Sequence, residues 1–384
     1  MLPRQKLMLL LAGLRDREAQ MVSLLERFVR CESPSDDKTA VDRFGRIVSA
    51  EWNRRGATVR RLRQRDAGDH LRISLPGRTK RLPQILVLGH LDTVYPLGAL
   101  ATMPFRLARG RAFGPGIFDM KAGLVLALFA VDALAHTGTM PNRPVVFLWT
   151  SDEETGSATS RAMIEQEARR RAAVLVLEPA SGPTGCLKTR RKGVGTVEII
   201  ITGCAAHAGL NPQDGVNAVH EMALQIARLA RMNQPSRGIT VNATVAHGGT
   251  RSNVIPAAAR LEVDLRAPNA AGMRTVERKL RALRPVLPGS NIEIRGGFSR
   301  PPLERRASAK LFAHARQIGK ELGLKLDESA SGGGSDGNFT AALGVPTLDG
   351  LGAIGDGAHS LTENVVVRAL PERAALLAGL LATL

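Results

Sequence analysis

Cysteine and aromatic residues are scarce in this chain of 384 residues, and both shortages exclude classes of protein. The three cysteines (Cys31, Cys186 and Cys204) are an odd number at wide spacing, which fits neither a disulfide framework nor a zinc knuckle. Aromatic residues make up only 3% of the sequence, too few for the stacking platforms that bind single-stranded nucleic acid. We therefore expect reduced cysteines, a cytoplasmic location and no nucleic-acid partner.

Long apolar runs are also missing. The run from Leu7 to Leu14 is short for a secretory signal, is followed by no convincing small-residue cleavage site, and predicts a helix. No later segment approaches the length of a membrane span, so we expect no membrane association.

Positive charge is what the chain has in excess. Its 53 lysines and arginines outnumber its 35 aspartates and glutamates, which gives a formal net charge of +18. The basic residues are scattered along the chain in short clusters, such as Arg169-Arg170-Arg171 and Arg190-Arg191-Lys192. We interpret them as a solvated basic surface.

The pattern of the chain changes around a short apolar segment. Ile85–Leu88 carries no charge, which predicts a strand buried on both faces, and it ends at Gly89 and His90. On an extended backbone Asp92 points the same way as His90. A carboxylate beside a histidine often fixes the tautomer that binds a metal, but the same pair also suits a strand end that runs into a turn.

Two further apolar segments end in acidic residues. Residues 145–150 run into Glu153 and Glu154, and residues 173–177 run into Glu178. Strands that alternate with helices predict a largely parallel sheet, in which the carboxyl ends of the strands meet at one edge. Carboxylates gathered there would repel one another unless a divalent cation lay between them.

One more acid precedes a predicted helix. Asp119 follows a Gly/Pro loop and stands before an apolar helix over about 121–136. Taken alone it fits a helix N-cap, whereas at the same sheet edge as His90 it fits a metal ligand. We favour a metal site because several such residues converge there.

A different pattern begins at about residue 192. Strand, helix, two strands, helix and strand follow one another, which is the order of a ferredoxin-like sandwich. We therefore predict an α/β fold with a mostly parallel sheet flanked by helices, and an inserted ferredoxin-like α+β domain. The predicted divisions are 1–191 for the first part of the catalytic domain, 192–300 for an inserted lid and dimerisation domain, and 301–384 for the second catalytic part.

Five motifs together resemble a known family. They are HLDTVYPLG at 90–98, GPGIFDMKAG at 114–123, SDEETGS at 151–157, LEPA at 177–180 and GAHS at 357–360. In order and spacing they resemble the metal-binding motifs of the dinuclear zinc aminoacylase and carboxypeptidase family, which includes glutamate carboxypeptidase, acetylornithine deacetylase and succinyl-diaminopimelate desuccinylase. The resemblance covers nearly the whole chain and is greatest for the glutamate carboxypeptidase group.

The resemblance implies a role for each residue of the motifs. Asp119 would bridge two zinc ions, with His90 and Glu178 on one ion and Glu154 and His359 on the other. Asp92 would orient His90, and Glu153 would act as general base. Cobalt or manganese could occupy the same set of nitrogen and oxygen ligands. The resemblance also implies that the Asp119–Met120 peptide bond is cis.

Five further residues are candidates for contact with the substrate, three from the resemblance and two from a Gly-rich loop. His207 resembles a lid histidine that reaches from a partner subunit to stabilise the oxyanion, Asn253 resembles a polar substrate contact, and Arg266 resembles a residue that grips the substrate carboxylate. Gly333 and Ser335, in the loop SGGGSDGN, would offer backbone N–H groups to an anion, although Gly-rich loops are common.

The resulting hypothesis is a dizinc hydrolase. It would cleave an amide bond next to a free carboxylate, as a glutamate carboxypeptidase-like exopeptidase, with an N-acyl-amino-acid deacylase as the alternative. The predicted partners are a small peptide or N-acyl amino acid and a second copy of the chain, joined through the inserted domain.

Overall fold

The structure is a computed structural model that describes residues 2–384. Its helices are, in chain order, α1 (Arg4–Arg15), α2 (Glu18–Val29), α3 (Lys38–Arg54), α4 (Ala122–His136), α5 (Arg161–Ala168), α6 (Ala218–Ala230), α7 (Ala270–Arg281), α8 (Arg305–Glu321), α9 (Gly337–Ala342) and α10 (Leu370–Thr383). Within these residues, no helix combines the length and apolar character needed to cross a lipid bilayer.

The strands are, in chain order, β1 (Thr58–Leu62), β2 (His70–Leu75), β3 (Ile85–His90), β4 (Arg106–Ala108), β5 (Arg111–Phe113), β6 (Val145–Thr150), β7 (Ala173–Val176), β8 (Leu187–Arg191), β9 (Gly193–Thr202), β10 (Ala206–His207), β11 (Thr240–Gly248), β12 (Val254–Ile255), β13 (Ala258–Ala267), β14 (Asn291–Arg300), β15 (Glu328–Ser331), β16 (Thr347–Leu348), β17 (Gly355–Asp356) and β18 (Asn364–Val366).

The chain divides into two compact units. The first contains the residues up to Arg190 together with Arg305–Ser331 and Ser335–Leu384, and the second contains Arg191–Glu304 with Gly332–Gly334. The loop residues Gly332–Gly334 thus group with the second unit, whereas the sequence prediction placed them in the second catalytic part.

A six-stranded sheet organises the first unit. Its strand order is β1-β2-β6-β3-β7-β16, and β3 is parallel to both of its neighbours, β6 and β7. Alternate residues of β3 enter different apolar clusters: Ile85 and Val87 on one face, Leu86 and Leu88 on the other. Helices cover both faces, so the predicted fold class is confirmed, including the doubly buried central strand.

The second unit has its own sheet and core. Four antiparallel strands lie in the order β11-β13-β9-β14, and α6 and α7 contribute Met222, Leu229, Val276 and Leu280 to the core against them. Sequence order and sheet order together are those of a ferredoxin-like sandwich. Strands β11 and β14 form the edges of this sheet.

Candidate metal centre

Three parallel strands bring their last residues to one edge of the large sheet. Strand β3 ends at His90, the neighbouring β6 is followed by Glu153 and Glu154, and β7 is followed by Glu178. Because side chains that follow parallel neighbours share the carboxyl edge, residues far apart in sequence become neighbours there.

Asp119 faces two histidines. Its Oδ1 lies 3.2 Å from Nε2 of His90, and its Oδ2 lies 3.5 Å from Nε2 of His359. The carboxylate is placed by an irregular turn, Ile117–Lys121, ahead of α4, and the Asp119–Met120 bond is cis, as the resemblance implied. Each carboxylate oxygen is therefore matched with a different imidazole.

Two glutamates complete the pattern around these imidazoles. Oε1 of Glu178 lies 3.6 Å from Nε2 of His90, and Oε2 of Glu154 lies 3.3 Å from Nε2 of His359. The arrangement is two groups of one imidazole and one glutamate that share Asp119. Nitrogen and oxygen donors in this combination suit zinc and related divalent ions.

Glu153 lies beside the first of these groups. Ligand-capable atoms of His90, Glu153 and Glu178 lie within 4.8 Å of one another, as do those of His90, Asp119 and Glu154. Adjacent glutamates thus reach both parts of the centre. On geometry alone, Glu153 is within reach of both a cation and a reacting group near His90.

Asp92 has more contacts than the sequence indicated. Nδ1 of His90 lies 2.9 Å from the main-chain oxygen of Asp92 and 3.5 Å from its Oδ1, so the backbone is the nearer acceptor. The carboxylate also accepts hydrogen bonds from Ser35 Oγ at 2.8 Å and from the N–H groups of Glu154 and Glu153 at 3.2 and 3.4 Å. Asp92 therefore holds the turn that carries both glutamates as well as the ring of His90.

Close contact between acids and imidazoles shifts the pKa values of the residues in this cluster. Asp119 and Glu154 together raise the pKa of His359 to about 10. Burial alone would lower the pKa of His90, but its carboxylate neighbours outweigh burial and raise it. Burial raises the pKa of Glu154, and its Oε1 is buried without a hydrogen-bond partner. An orphaned buried oxygen beside an imidazole is what a cation would satisfy, so these residues fit a metal.

Glu363 is a site residue that sequence reasoning missed. It is fully buried, and its carboxylate accepts hydrogen bonds from the N–H groups of Phe118 at 2.8 Å, Asp119 at 2.9 Å and Gly116 at 3.2 Å. Burial raises its pKa. It fixes the backbone that aims Asp119, and its only signal in the sequence was its position four residues after His359.

Lys121 is a second residue that was missed. Its side chain is buried, and its Nζ donates a hydrogen bond to the main-chain oxygen of Cys31 at 2.7 Å. Burial lowers its pKa to about 8. The amine ties the turn that carries Asp119 to the segment after α2.

Four of the predicted substrate residues lie in the second unit. The Nδ1 of His207, an exposed residue, accepts from the N–H groups of Gly209 and Leu210, both at 3.1 Å. Arg266 pairs with Asp264 at 2.8 Å and donates to the oxygen of Gly332 at 3.3 Å. The main-chain oxygens of Asn253 and Gly333 accept from Ala208 N and from Arg191 Nη1, respectively.

Ser335 requires a correction. It lies in the first unit, is fully buried, and donates its hydroxyl to Asp349 Oδ2 at 2.6 Å and its N–H to Asn338 Oδ1 at 3.0 Å. Both of its donors are used within the protein. The structure therefore favours a role for Ser335 in holding the loop, and we do not carry it forward as a substrate contact.

Comparison with known proteins identifies the family. Residues 86–383 match the sequence profile of peptidase family M20/M25/M40, which is well over half of the chain. The chain belongs to this peptidase family. As a member of peptidase family M20/M25/M40 it is a metal-dependent hydrolase of the metallopeptidase and amidohydrolase type, in agreement with the cluster around Asp119.

Two proteins of known activity are similar to this chain over most of its length. Carboxypeptidase G2 from Pseudomonas sp. (strain RS-16) is 33% identical over 378 residues, spanning 95% of this chain and 89% of the relative. Succinyl-diaminopimelate desuccinylase from Dechloromonas aromatica is 26% identical over 312 residues, spanning 77% of this chain and 81% of the relative.

Solved structures share the fold. Aminopeptidase PepT from Bacillus cereus matches with a TM-score of 0.80 at 22% identity and covers 95% of this chain and 98% of its own. The YXEP protein of Bacillus subtilis, described as a dinuclear metal-binding peptidase of family M20, matches with a TM-score of 0.69 at 15% identity, covering 96% and 98%.

Proposed function

We propose that this member of peptidase family M20/M25/M40 is a dizinc exopeptidase that cleaves an amide bond next to a free carboxylate and releases a C-terminal glutamate or a similar amino acid. The observation that carries the proposal is the placement of the two oxygens of Asp119 against two different histidines, each with its own glutamate. Identity of 33% to a carboxypeptidase over 95% of the chain supports the choice of substrate class.

The proposed ligands divide into two sets. One ion would be held by His90, Glu178 and Asp119, and the other by His359, Glu154 and Asp119. The contacts of 3.2 to 3.6 Å between these groups support this division. We propose zinc because its preferred donors are present, with cobalt or manganese as substitutes.

Glu153 is the proposed general base. When bound, two cations would polarise the scissile carbonyl and acidify the attacking water. Glu153 takes a proton from that water and delivers it to the leaving nitrogen, so that one carboxylate serves both proton transfers. A glutamate that binds a cation cannot readily take a proton as well, which supports separate roles for Glu153 and Glu154.

His207 and Arg266 are the proposed contacts to the substrate, with Asn253 and Gly333 as further polar contacts. Because Nδ1 of His207 accepts two backbone N–H groups, its Nε2 carries the proton and is a donor, as an oxyanion contact requires. The guanidinium of Arg266 would pair with the substrate carboxylate, in competition with Asp264.

We also propose that the protein is a homodimer joined through the second unit. Strand β11 is an edge strand, and its residues after Val241 are exposed, which leaves backbone groups open to pairing with a second copy. In such a dimer His207 would serve the partner's centre. Sedimentation velocity distinguishes this dimer from a monomer. The cytoplasmic location stays a prediction; the described cysteines are all free.

A substrate panel tests the proposed function. The zinc-loaded protein is incubated with folyl-glutamate, dipeptides, N-acetyl amino acids and N-succinyl amino acids, and the released amine is identified. We expect glutamate from the folyl and peptide substrates. Release of amine only from the N-acyl substrates would favour the deacylase, a second candidate that the relationship to a desuccinylase supports.

A substitution tests the proposed base. Glu153→Gln should keep both ions and lose about 10²- to 10⁴-fold in turnover, the usual contribution of a general base. His90→Ala is the matched control and should lose metal as well as activity. Metal content and kcat are measured on the same samples, and full turnover in Glu153→Gln would refute the assignment of the base.

A further inference from the structure

A basic cavity in the first unit lies among residues that the proposed hydrolysis does not use. Its volume is about 720 Å³, and five of its lining residues are arginines: Arg60, Arg72, Arg169, Arg170 and Arg171. Glu167 is the acidic lining residue, while Leu62 and Met163 supply apolar surface. The volume lies within the range of ordinary small-molecule sites.

Two of the arginines stand directly opposite each other. Arg60 on the edge strand β1 is the cross-strand partner of Arg72 on β2, so both side chains project from the same face of the sheet. Like charges in directly opposed positions destabilise a strand pair. Arg72 is partly neutralised by Glu167, at 2.7 Å, but within residues 2–384 the side chain of Arg60 makes no ion pair or hydrogen bond. The strand pairing therefore places two positive charges side by side, and in the described chain only that of Arg72 has an acidic partner.

The other three arginines follow the last residue of α5, Ala168. The partial negative charge at a helix C-terminus attracts cations, but it amounts to only about half an elementary charge. Arg171 contacts Glu167, which Arg72 also uses, and its Nε is buried without a hydrogen-bond partner. Arg170 makes no side-chain ion pair or hydrogen bond within the described chain. Arg169 lies 3.8 Å from Glu165. Two glutamates and a helix end therefore do not balance the charge of five arginines.

We propose that this cavity binds a small molecule that carries several phosphate groups. The planar guanidinium presents paired donors that match the oxygens of a phosphate, and arginines from two strands and a helix end converge here. No aromatic residue is among the lining residues, so the cavity lacks the stacking surface of a single-strand nucleic-acid site.

Calorimetric titration with sodium tripolyphosphate tests the proposal at physiological salt. We expect one tripolyphosphate to bind per chain, with an affinity about tenfold or more weaker in the double variant Arg60→Ser/Arg170→Ser, because each charge-assisted hydrogen bond contributes substantially. Both arginines are exposed, so the variant should fold normally. Raising the salt concentration should weaken binding to the wild type.

A matched control separates this site from general attraction to a basic protein. Arg274→Ser/Arg278→Ser removes the same charge from two exposed arginines of α7, which make no ion pair in the described chain. We expect this variant to bind as the wild type does. Equal weakening in both double variants would overturn the proposal.

Other probes identify the ligand class. Binding of tripolyphosphate at the metal centre would persist in Arg60→Ser/Arg170→Ser, and if it is the only binding detected the cavity is not a site. Equal affinity for citrate would overturn the assignment to phosphate, and tighter binding of a short oligodeoxynucleotide, lost in the same variant, would replace it with nucleic acid. None of these readouts depends on hydrolytic activity.

Discussion

A buried carboxylate of the second unit and one of the metal centre in the first unit differ in how their oxygens are satisfied. In the second unit, Glu221 is fully buried and accepts hydrogen bonds from the N–H groups of Leu287 at 2.7 Å and Val286 at 3.0 Å, with further bonds from Gln225 and Ser290. In the first unit, Glu154 faces a histidine through one oxygen, while the other oxygen is buried without a partner.

The pKa values of Glu154 and Glu221 shift in opposite directions because only Glu221 has enough hydrogen-bond donors to outweigh burial. Burial raises the pKa of Glu154. Burial acts in the same direction on Glu221, but its four donors outweigh it and lower the pKa. A buried acid that protein donors satisfy belongs to the framework, whereas buried acids that face imidazoles and one another need a cation. The supply of donors within the protein, rather than the direction of the pKa shift, distinguishes a structural carboxylate from a functional one, because the pKa of the structural Glu363 is also raised.

If the acids of the metal centre need a cation, the substitution with the largest effect on metal binding and turnover should be Asp119→Asn. An amide has only one oxygen, and its NH₂ group would oppose one of the two histidines, so the shared ligand is lost. We expect loss of bound metal and a fall in turnover of more than about a hundredfold, because the cations supply several kcal/mol of transition-state stabilisation. Metal analysis after dialysis, with steady-state kinetics, measures both; two ions retained at full affinity would contradict the bridging role.

A smaller effect is expected for Asp92→Asn. The substitution weakens the acceptor for Ser35 and for the turn at Glu153 and Glu154, while the main-chain oxygen that holds His90 remains. Loss of an outer partner of a metal ligand typically costs about 10- to 100-fold in metal affinity or activity. Competition with a chelator gives the affinity. An unchanged affinity and turnover would show that the backbone contact alone orients His90.

Glu221→Gln should lower the free energy of unfolding and leave the metal content unchanged. One of the replaced oxygens becomes an NH₂ group that faces backbone N–H donors, at a cost of about 1–3 kcal/mol in the free energy of unfolding. Glu277→Gln on α7, a half-buried glutamate with no ion pair in residues 2–384, is the control and should be nearly neutral. Urea denaturation and metal analysis are the measurements. Metal loss in Glu221→Gln would contradict the purely structural role of Glu221.

The smallest effect is a pH dependence of stability. Because the folded-state pKa of Glu221 lies below its ordinary value of 4.5, the stability it contributes is fully present above that value and is lost as pH falls through the folded-state pKa. The free energy of unfolding of the wild type should therefore fall more steeply below pH 4.5 than that of Glu221→Gln. Identical slopes in urea titrations across this range would argue against the assignment.

Much of the metal centre could be predicted from the sequence of the first unit. Apolar runs that end in His90, Glu154 and Glu178 predicted parallel strands with a shared edge, since doubly buried strands carry a local signal. The ends of some elements differ slightly from the prediction; for example, the helix predicted over about 121–136 begins at Ala122. The helix α5 was not predicted, because eight residues with a weak apolar stripe resemble a surface loop.

Glu363 shows why the remainder was not predictable. The N–H groups it accepts from lie 244 to 247 residues earlier in the chain, and they reach it because β18 pairs with β5 across two strands of three residues each. Short strands have no periodicity to detect, and their pairing is set by tertiary packing. The same applies to Ser335, which is buried and donates its hydroxyl to Asp349.

The segment from His359 to Glu363 supplies one imidazole and the carboxylate that holds the backbone of Asp119. Both come from the last part of a chain of 384 residues. A chain cut between Glu178 and His359 would therefore keep His90, Asp119 and Glu178 but lack the second imidazole and the carboxylate that accepts from the backbone of Asp119.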